Sequence, residues 1–260
     1  MYKKIILFLL SFSVTTLYCA IHLVTNTADS GPGSLRQAII DANADPGSPR
    51  IINFAIGAGV QTITPLTALP DLTASNILID GSSQPGYAGI PLIVIDGTNA
   101  AFGFDGLTIT AVNNCTIQDL VINNGFDNGI FIQGTAANNS VLGCYLGVDQ
   151  TGTVASPNHV GVKVLATVGQ LNTNTIIGAS GHGNVASGNT GTAPFGIGIF
   201  LSGNLQDPII QGNFVGTNRT GTAAIGNGQA GVIIATIPSS NALTCSGTFI
   251  GGPNAGDGNV

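Results

Sequence analysis

Gly106-Leu107-Thr108-Ile109, Gly129-Ile130-Phe131-Ile132, Gly161-Val162-Lys163-Val164, Gly196-Ile197-Gly198-Ile199 and Gly231-Val232-Ile233-Ile234 are five versions of one short phrase. Each is a glycine, an aliphatic residue, any residue and a second aliphatic. The leading glycines are 23, 32, 35 and 35 residues apart (129−106, 161−129, 196−161, 231−196). Apolar residues at every second position belong on a strand with one buried face. A second short apolar stretch follows each copy: Thr116-Ile117, Ser140-Val141, Thr175-Ile176, Pro208-Ile209 and Thr248-Phe249. One such unit cannot bury its own apolar face, so neighbouring units must stack. The pattern predicts an all-β solenoid with two or three short strands per unit and a core of Ile, Val and Leu. With coils about 4.8 Å apart, some eight coils make a rod of roughly 40 Å.

Composition agrees. The 260 residues include 38 Gly, no Trp and no Glu, and only 7% are charged. Helix formers are scarce, whereas Val, Ile, Thr and Gly suit strands and tight turns. Mean hydropathy is +0.41, yet past residue 20 no apolar run is long enough to span a membrane. Basic residues are limited to Lys3, Lys4, Arg36, Arg50, Lys163 and Arg219 against 12 Asp. Four scattered cations past residue 20 make no phosphate-binding face, which argues against nucleic acid as a partner. The same scarcity argues against an acidic polysaccharide held by a row of cations.

Residues 1–20 read as a signal peptide, with Lys3 and Lys4 before the apolar run Ile5 to Val14. Cleavage after Ala20 is expected, with lipidation at Cys19 as the second reading. Residues 21–260 are then one domain, divided into an N-terminal cap (21–50), irregular early coils (51–110) and regular coils with long loops (111–260). Export leaves Cys115, Cys144 and Cys245 in an oxidising compartment. Cys115 and Cys144 are 29 residues apart on consecutive units, where they could be neighbours. The simpler expectation is three small buried thiols.

Ser34 and Gln37 have the spacing of a helix-capping box, and Leu35, Ala38, Ile39 and Ala42 form one apolar stripe. A short helix here suits a cap over the open end of a stacked core, with Arg36 solvated or bonded to a turn. Early strands are expected at 51–54, 61–64, 77–79 and 92–95. Asp80-Gly81 and Asp96-Gly97 read as turns, and Gln84 to Tyr87 as a loop.

Gly33-Ser34-Leu35-Arg36-Gln37-Ala38 resembles the Cys-Ser-Leu-Arg-Glu-Ala segment that opens bacterial right-handed parallel β-helix surface proteins, with Gly and Gln in place of the Cys and Glu. The loop 143–153 matches 212–222 at an offset of 69. Ile177-Gly178 with Gly183-Asn184-Val185 matches Ile250-Gly251 with Gly258-Asn259-Val260, so a superunit of two coils repeats. The resemblance implies a right-handed parallel β-helix, exported to the outer surface or beyond it. It also implies an adhesin-like, non-catalytic role, with loops on a rigid rod meeting a host-surface or extracellular glycan or protein. By the same alignment the chain is expected to be the front of a longer protein or a truncated reading frame.

The alternative is a polysaccharide-degrading enzyme, a lyase or glycoside hydrolase of the pectin-active β-helix type. Gly181-His182-Gly183 matches part of a polygalacturonase signature, but no Asp-Asp pair and no Glu supply an acid and a base. Lys163, Asp149 and Asp127 form a thin lyase candidate that reads better as a solvated surface. No metal spacing, cofactor motif or nucleophile elbow is present. Asn113, Asn114, Asn123, Asn124, Asn138 and Asn139 suggest stacked turns in left-handed backbone. The expectation is therefore no catalytic, metal or cofactor site.

Overall fold

The computed structural model describes residues 18–99, 103–191, 196–235 and 244–260. Of the expected signal peptide, residues 1–20, the first 17 lie outside them. The fold is predominantly β, with one α-helix among the described residues. All paired strands are parallel and fall into four sheets. The five glycine phrases form one five-stranded sheet: Leu107–Thr110, Asn128–Gln133, Val160–Ala166, Ile197–Gly203 and Ala230–Ala235. The eight-stranded sheet begins with Ala20–Val24, Arg50–Phe54 and Ile77–Asp80, then takes Thr116–Gln118 and its four successors.

Most strands of the two further sheets are two residues long, too short to carry a period. One has six strands, among them Leu120–Asn123, Tyr145–Leu146, Val185–Ala186 and Phe214–Val215. The other has four: Ala136–Ala137, Asn172–Thr173, Leu205–Gln206 and Cys245–Ser246. From Thr116 onward the chain visits the eight-, six-, five- and four-stranded sheets in that order and then begins again. Each strand pairs with its counterpart one circuit away.

Stacking in register builds the core. Ile79, Ile117, Val141, Ile177 and Ile210 are consecutive partners in the eight-stranded sheet, and all five are fully buried. Ile130, Val162, Ile199 and Val232 make the matching ladder in the five-stranded sheet. Both ladders join one continuous apolar cluster.

Register departs from the sequence reading in two places. Gly161 stands opposite Gly198, not Gly196, because Val162 pairs with Ile199. The shift is two residues, so the same face stays buried. In the eight-stranded sheet, Ser140 pairs with Ile176, not Thr175. That one-residue shift sends Ile177 and Ile210 inward. The recurring glycine now has a physical cause. A Cβ on Gly129 would lie 2.8 Å from the Gly161 carbonyl oxygen, one on Gly161 2.5 Å from that of Gly198, and one on Gly198 2.6 Å from that of Gly231. Backbones approach too closely there for any side chain.

Corners are held by asparagine. Asn76, Asn114, Asn138 and Asn174 all have φ between +52° and +61°, and the side chains of Asn114, Asn138 and Asn174 each donate to Oδ1 of the Asn before at 3.1–3.2 Å. A second stack, Asn184, Asn213 and Asn259, links through 2.9 Å bonds. Its buried amides also reach the backbone carbonyls of Val141, Ile177 and Ile210.

The helix spans Leu35–Ala44, with Leu35, Ala38, Ile39 and Ala42 buried beside Val24, Ile52 and Phe54. Ser34 Oγ accepts from the Gln37 backbone N–H at 3.2 Å. Gln37 does not complete the box: its side chain donates to Asp41 instead. Arg36 is the turn-bonding residue, donating to the Asp29 carboxylate at 2.8 Å and to the backbone carbonyls of Asp29, Thr67 and Ala68. No helix among the described residues is long and apolar enough to cross a membrane.

Candidate functional site

A groove of about 500 Å³ opens where the eight-stranded sheet hands over to the six-stranded sheet. Successive circuits each supply one wall. Tyr87 comes from the loop after Asp80, and Asp119 from the next corner. Gly143 and Tyr145 follow, then His182 and Val185, then Gly212 and Phe214. Arg219 reaches in from the long loop after Phe214. Beneath the groove, Val94, Val121, Tyr145, Val148 and Val185 form a small apolar cluster of their own, with Phe214 packed on it.

Asp119 is the hub. It is 3% exposed and holds a left-handed backbone, φ +56°, at a corner. Its Oδ1 accepts from the Tyr87 hydroxyl at 2.7 Å and lies 3.0 Å from His182 Nε2. His182 sits two circuits beyond Asp119 and reaches back across Gly143, whose N–H donates to the His182 carbonyl. A Cβ on Gly143 would stand 2.5 Å from His182 Nε2 and closer still to Asp119 Oδ1. The Asp119–His182 contact depends on that glycine. Burial and the hydrogen bond to Asp119 both push the Tyr87 phenol well above its usual range. With the carboxylate at Nε2, the neutral imidazole keeps its proton there and leaves Nδ1 as the acceptor.

Tyr145 is 7% exposed. Burial raises its phenol, and the nearby Arg219 guanidinium pulls it part of the way back. Arg219 itself is exposed.

The structure separates the other sequence candidates. Lys163 is on the five-stranded sheet, its Nζ over the rings of Phe131 and Phe200 at 5.2 and 5.9 Å. Asp127 pairs with His159 at 3.0 Å. Asp149 lies in a hairpin, accepting from Thr151 Oγ1 and from the N–H groups of Thr153 and Val154. Burial would raise its pKa, but these bonds outweigh it and the carboxyl titrates low. Near Lys163 stands a residue the sequence did not single out, Asp105. Burial raises its carboxyl despite two bonds from Asn128 and the charge of Lys163.

Cys115 and Cys144 are fully buried, and no cysteine is in a disulfide. They occupy different corners, one leading into the eight-stranded sheet and the other into the six-stranded sheet. Each N–H is taken by an Asn of a following circuit, Asn139 or Asn184. Burial pushes the Cys144 thiol up to about 12. Cys245 is half-buried, with Sγ 3.1 Å from Thr248 Oγ1. Among the described residues, no three His, Cys or Asp side chains are placed to hold a metal ion.

Asp119, Tyr87, Tyr145 and Arg219 were not legible as a site. The one sequence sign is Asp119 itself, a carboxylate at the corner where the next circuit has Gly143. No family model matches the chain, and no curated protein matches it.

Proposed function

We propose that the chain is an exported, non-catalytic right-handed parallel β-helix, capped at its N-terminus by the helix Leu35–Ala44. It acts as an adhesin-like rod that presents loops to an extracellular or host-surface glycan. The cyclic order of the four parallel sheets supports the solenoid. Eight strands about 4.8 Å apart make the rod roughly 34 Å long. The observation that carries the function is the groove. It sets the rings of Tyr87, Tyr145 and Phe214 beside the polar groups of Asp119, His182 and Arg219 on a rigid support. Sugars present an apolar C–H face and a rim of hydroxyls, and such a lining meets both. Loops on a stiff scaffold are also where binding residues concentrate.

A panel of immobilised glycans and extracellular-matrix proteins, probed with the purified protein, tests this. Saturable binding that Tyr145→Ala removes is expected. Export is checked by fractionating cells and sequencing the N-terminus of the exported form, which should begin near Ile21.

The second reading, a polysaccharide-degrading enzyme, is favoured by one observation, the His182 and Asp119 pair inside the groove. Incubation with plant, algal and host polysaccharides, with and without calcium, separates the two. Release of reducing or unsaturated ends, lost in His182→Ala, would replace the adhesin reading.

A further inference from the structure

The groove differs from its own earlier copy at one informative position. The loop 143–153 and its repeat 212–222 are built alike. Each closes with an antiparallel bridge, Val148 to Ala155 and Thr217 to Ala224. Asp149 Oδ1 accepts from the N–H groups of Thr153 and Val154, and Asn218 Oδ1 from those of Thr222 and Ala223. At the next residue the copies diverge. Gln150 donates to the Pro91 carbonyl at 3.0 Å and is tied down. Its counterpart is Arg219, which lines the groove beside Tyr145.

Arg219 is anchored by its stem, not by a counter-charge. Its N–H donates to the Gly152 carbonyl at 3.0 Å. A Cβ on Gly152 would lie 3.0 Å from Arg219 Cβ and 2.9 Å from the Tyr145 ring, so all three pack together. Among the described residues, Arg219 is in none of the ion pairs within 4 Å. Asp119, the aspartate that lines the groove, is already engaged by Tyr87 and His182. The Arg219 guanidinium shares a hydrogen bond with the neutral Tyr145 hydroxyl, and its remaining donors weight the groove's polar capacity toward donation.

Resting on the glycan-binding reading, we infer that the groove selects a sugar bearing one anionic group, a carboxylate or a sulfate. Arg219 receives the anion in its planar fork, Tyr145 and Phe214 carry the apolar face of the ring, and His182 Nδ1 accepts from a sugar hydroxyl. A single fork recognises one charged sugar at a chain end or branch. It does not need the row of cations that a polyanion would require and that this acidic chain lacks.

Isothermal titration of the purified protein with methyl glucuronoside, a sulfated glucose, methyl glucoside and inorganic sulfate tests this. At least one anionic sugar should bind about tenfold or more tightly than the glucoside, the worth of a charge-assisted hydrogen bond. Comparison of the two anionic sugars tells carboxylate from sulfate. Arg219→Gln, which copies Gln150, should erase that preference while holding the glucoside affinity within about twofold. His182→Ala should weaken all three sugars alike. Equal binding of charged and neutral sugars, or a preference that survives Arg219→Gln, overturns the inference and leaves glycan binding standing. Inorganic sulfate binding as tightly as the sulfated sugar also overturns it, since the groove would then be a plain anion site. Binding of no sugar by the folded protein removes both readings.

Discussion

Gly143 shows how one missing side chain sets a chemical group in place. Its backbone has φ +61°, and the space a Cβ would fill is taken by Asp119 and His182. Gly143→Ala adds left-handed strain and displaces the pair. It should cost about 1–3 kcal/mol of stability, read by urea denaturation, and should weaken glycan binding. Asn213 shows the converse, a side chain that completes its neighbours. Its Oδ1 takes two N–H groups of Asn184, and its amide donates to Ile177 and Asn259. Asn213→Ala strands these buried partners, so about 1–3 kcal/mol should be lost for each uncompensated group. Asn213→Asp should do no better, because it removes the two donors.

At the scale of elements, the N-terminal helix depends on contacts that the sequence half predicted. The Ser34 hydroxyl caps the Gln37 N–H, and Ser34→Ala should cost about 1 kcal/mol. The Arg36 bridge makes the same region acid-sensitive. The hydrogen bond from Arg36 and that from the Leu66 N–H lower the Asp29 carboxyl below its usual range. A depressed folded pKa adds stability above the unfolded value. That contribution fades as pH falls below about 4 and through the folded pKa. Urea midpoints followed downward through that window should fall more steeply for the wild type than for Asp29→Asn. Equal slopes would mean that the pair is solvent-screened and contributes little. The hairpins at Asp149 and Asn218 carry the same lesson: one fold, two chemistries at the residue that follows.

Across the whole molecule, stability should behave as a sum of neighbouring contacts. Leu146 is fully buried and part of the main core. Leu146→Ala should cost about 2–5 kcal/mol. Amide exchange should show the inner circuits, Thr116 to Ile210, as the most protected, and the outermost strands, where Phe249 and Ile250 are about half exposed, as the least. Uniform protection along the chain would contradict a nearest-neighbour solenoid. The sequence alone determined the β class, the membership of the five-stranded sheet and the N-terminal helix. Each of these rests on a local period, and local periods survive in a linear string. Thr175 was read in place of Ile176 because neighbouring residues of similar character give a short strand two plausible registers. Only hydrogen bonding to the next circuit chooses between them. The four-stranded sheet was invisible because two residues cannot show an alternation. The groove was decided wholly by the tertiary structure. Tyr87, Asp119 and His182 are 32 and 63 residues apart, and only stacking of successive corners brings them onto one carboxylate oxygen.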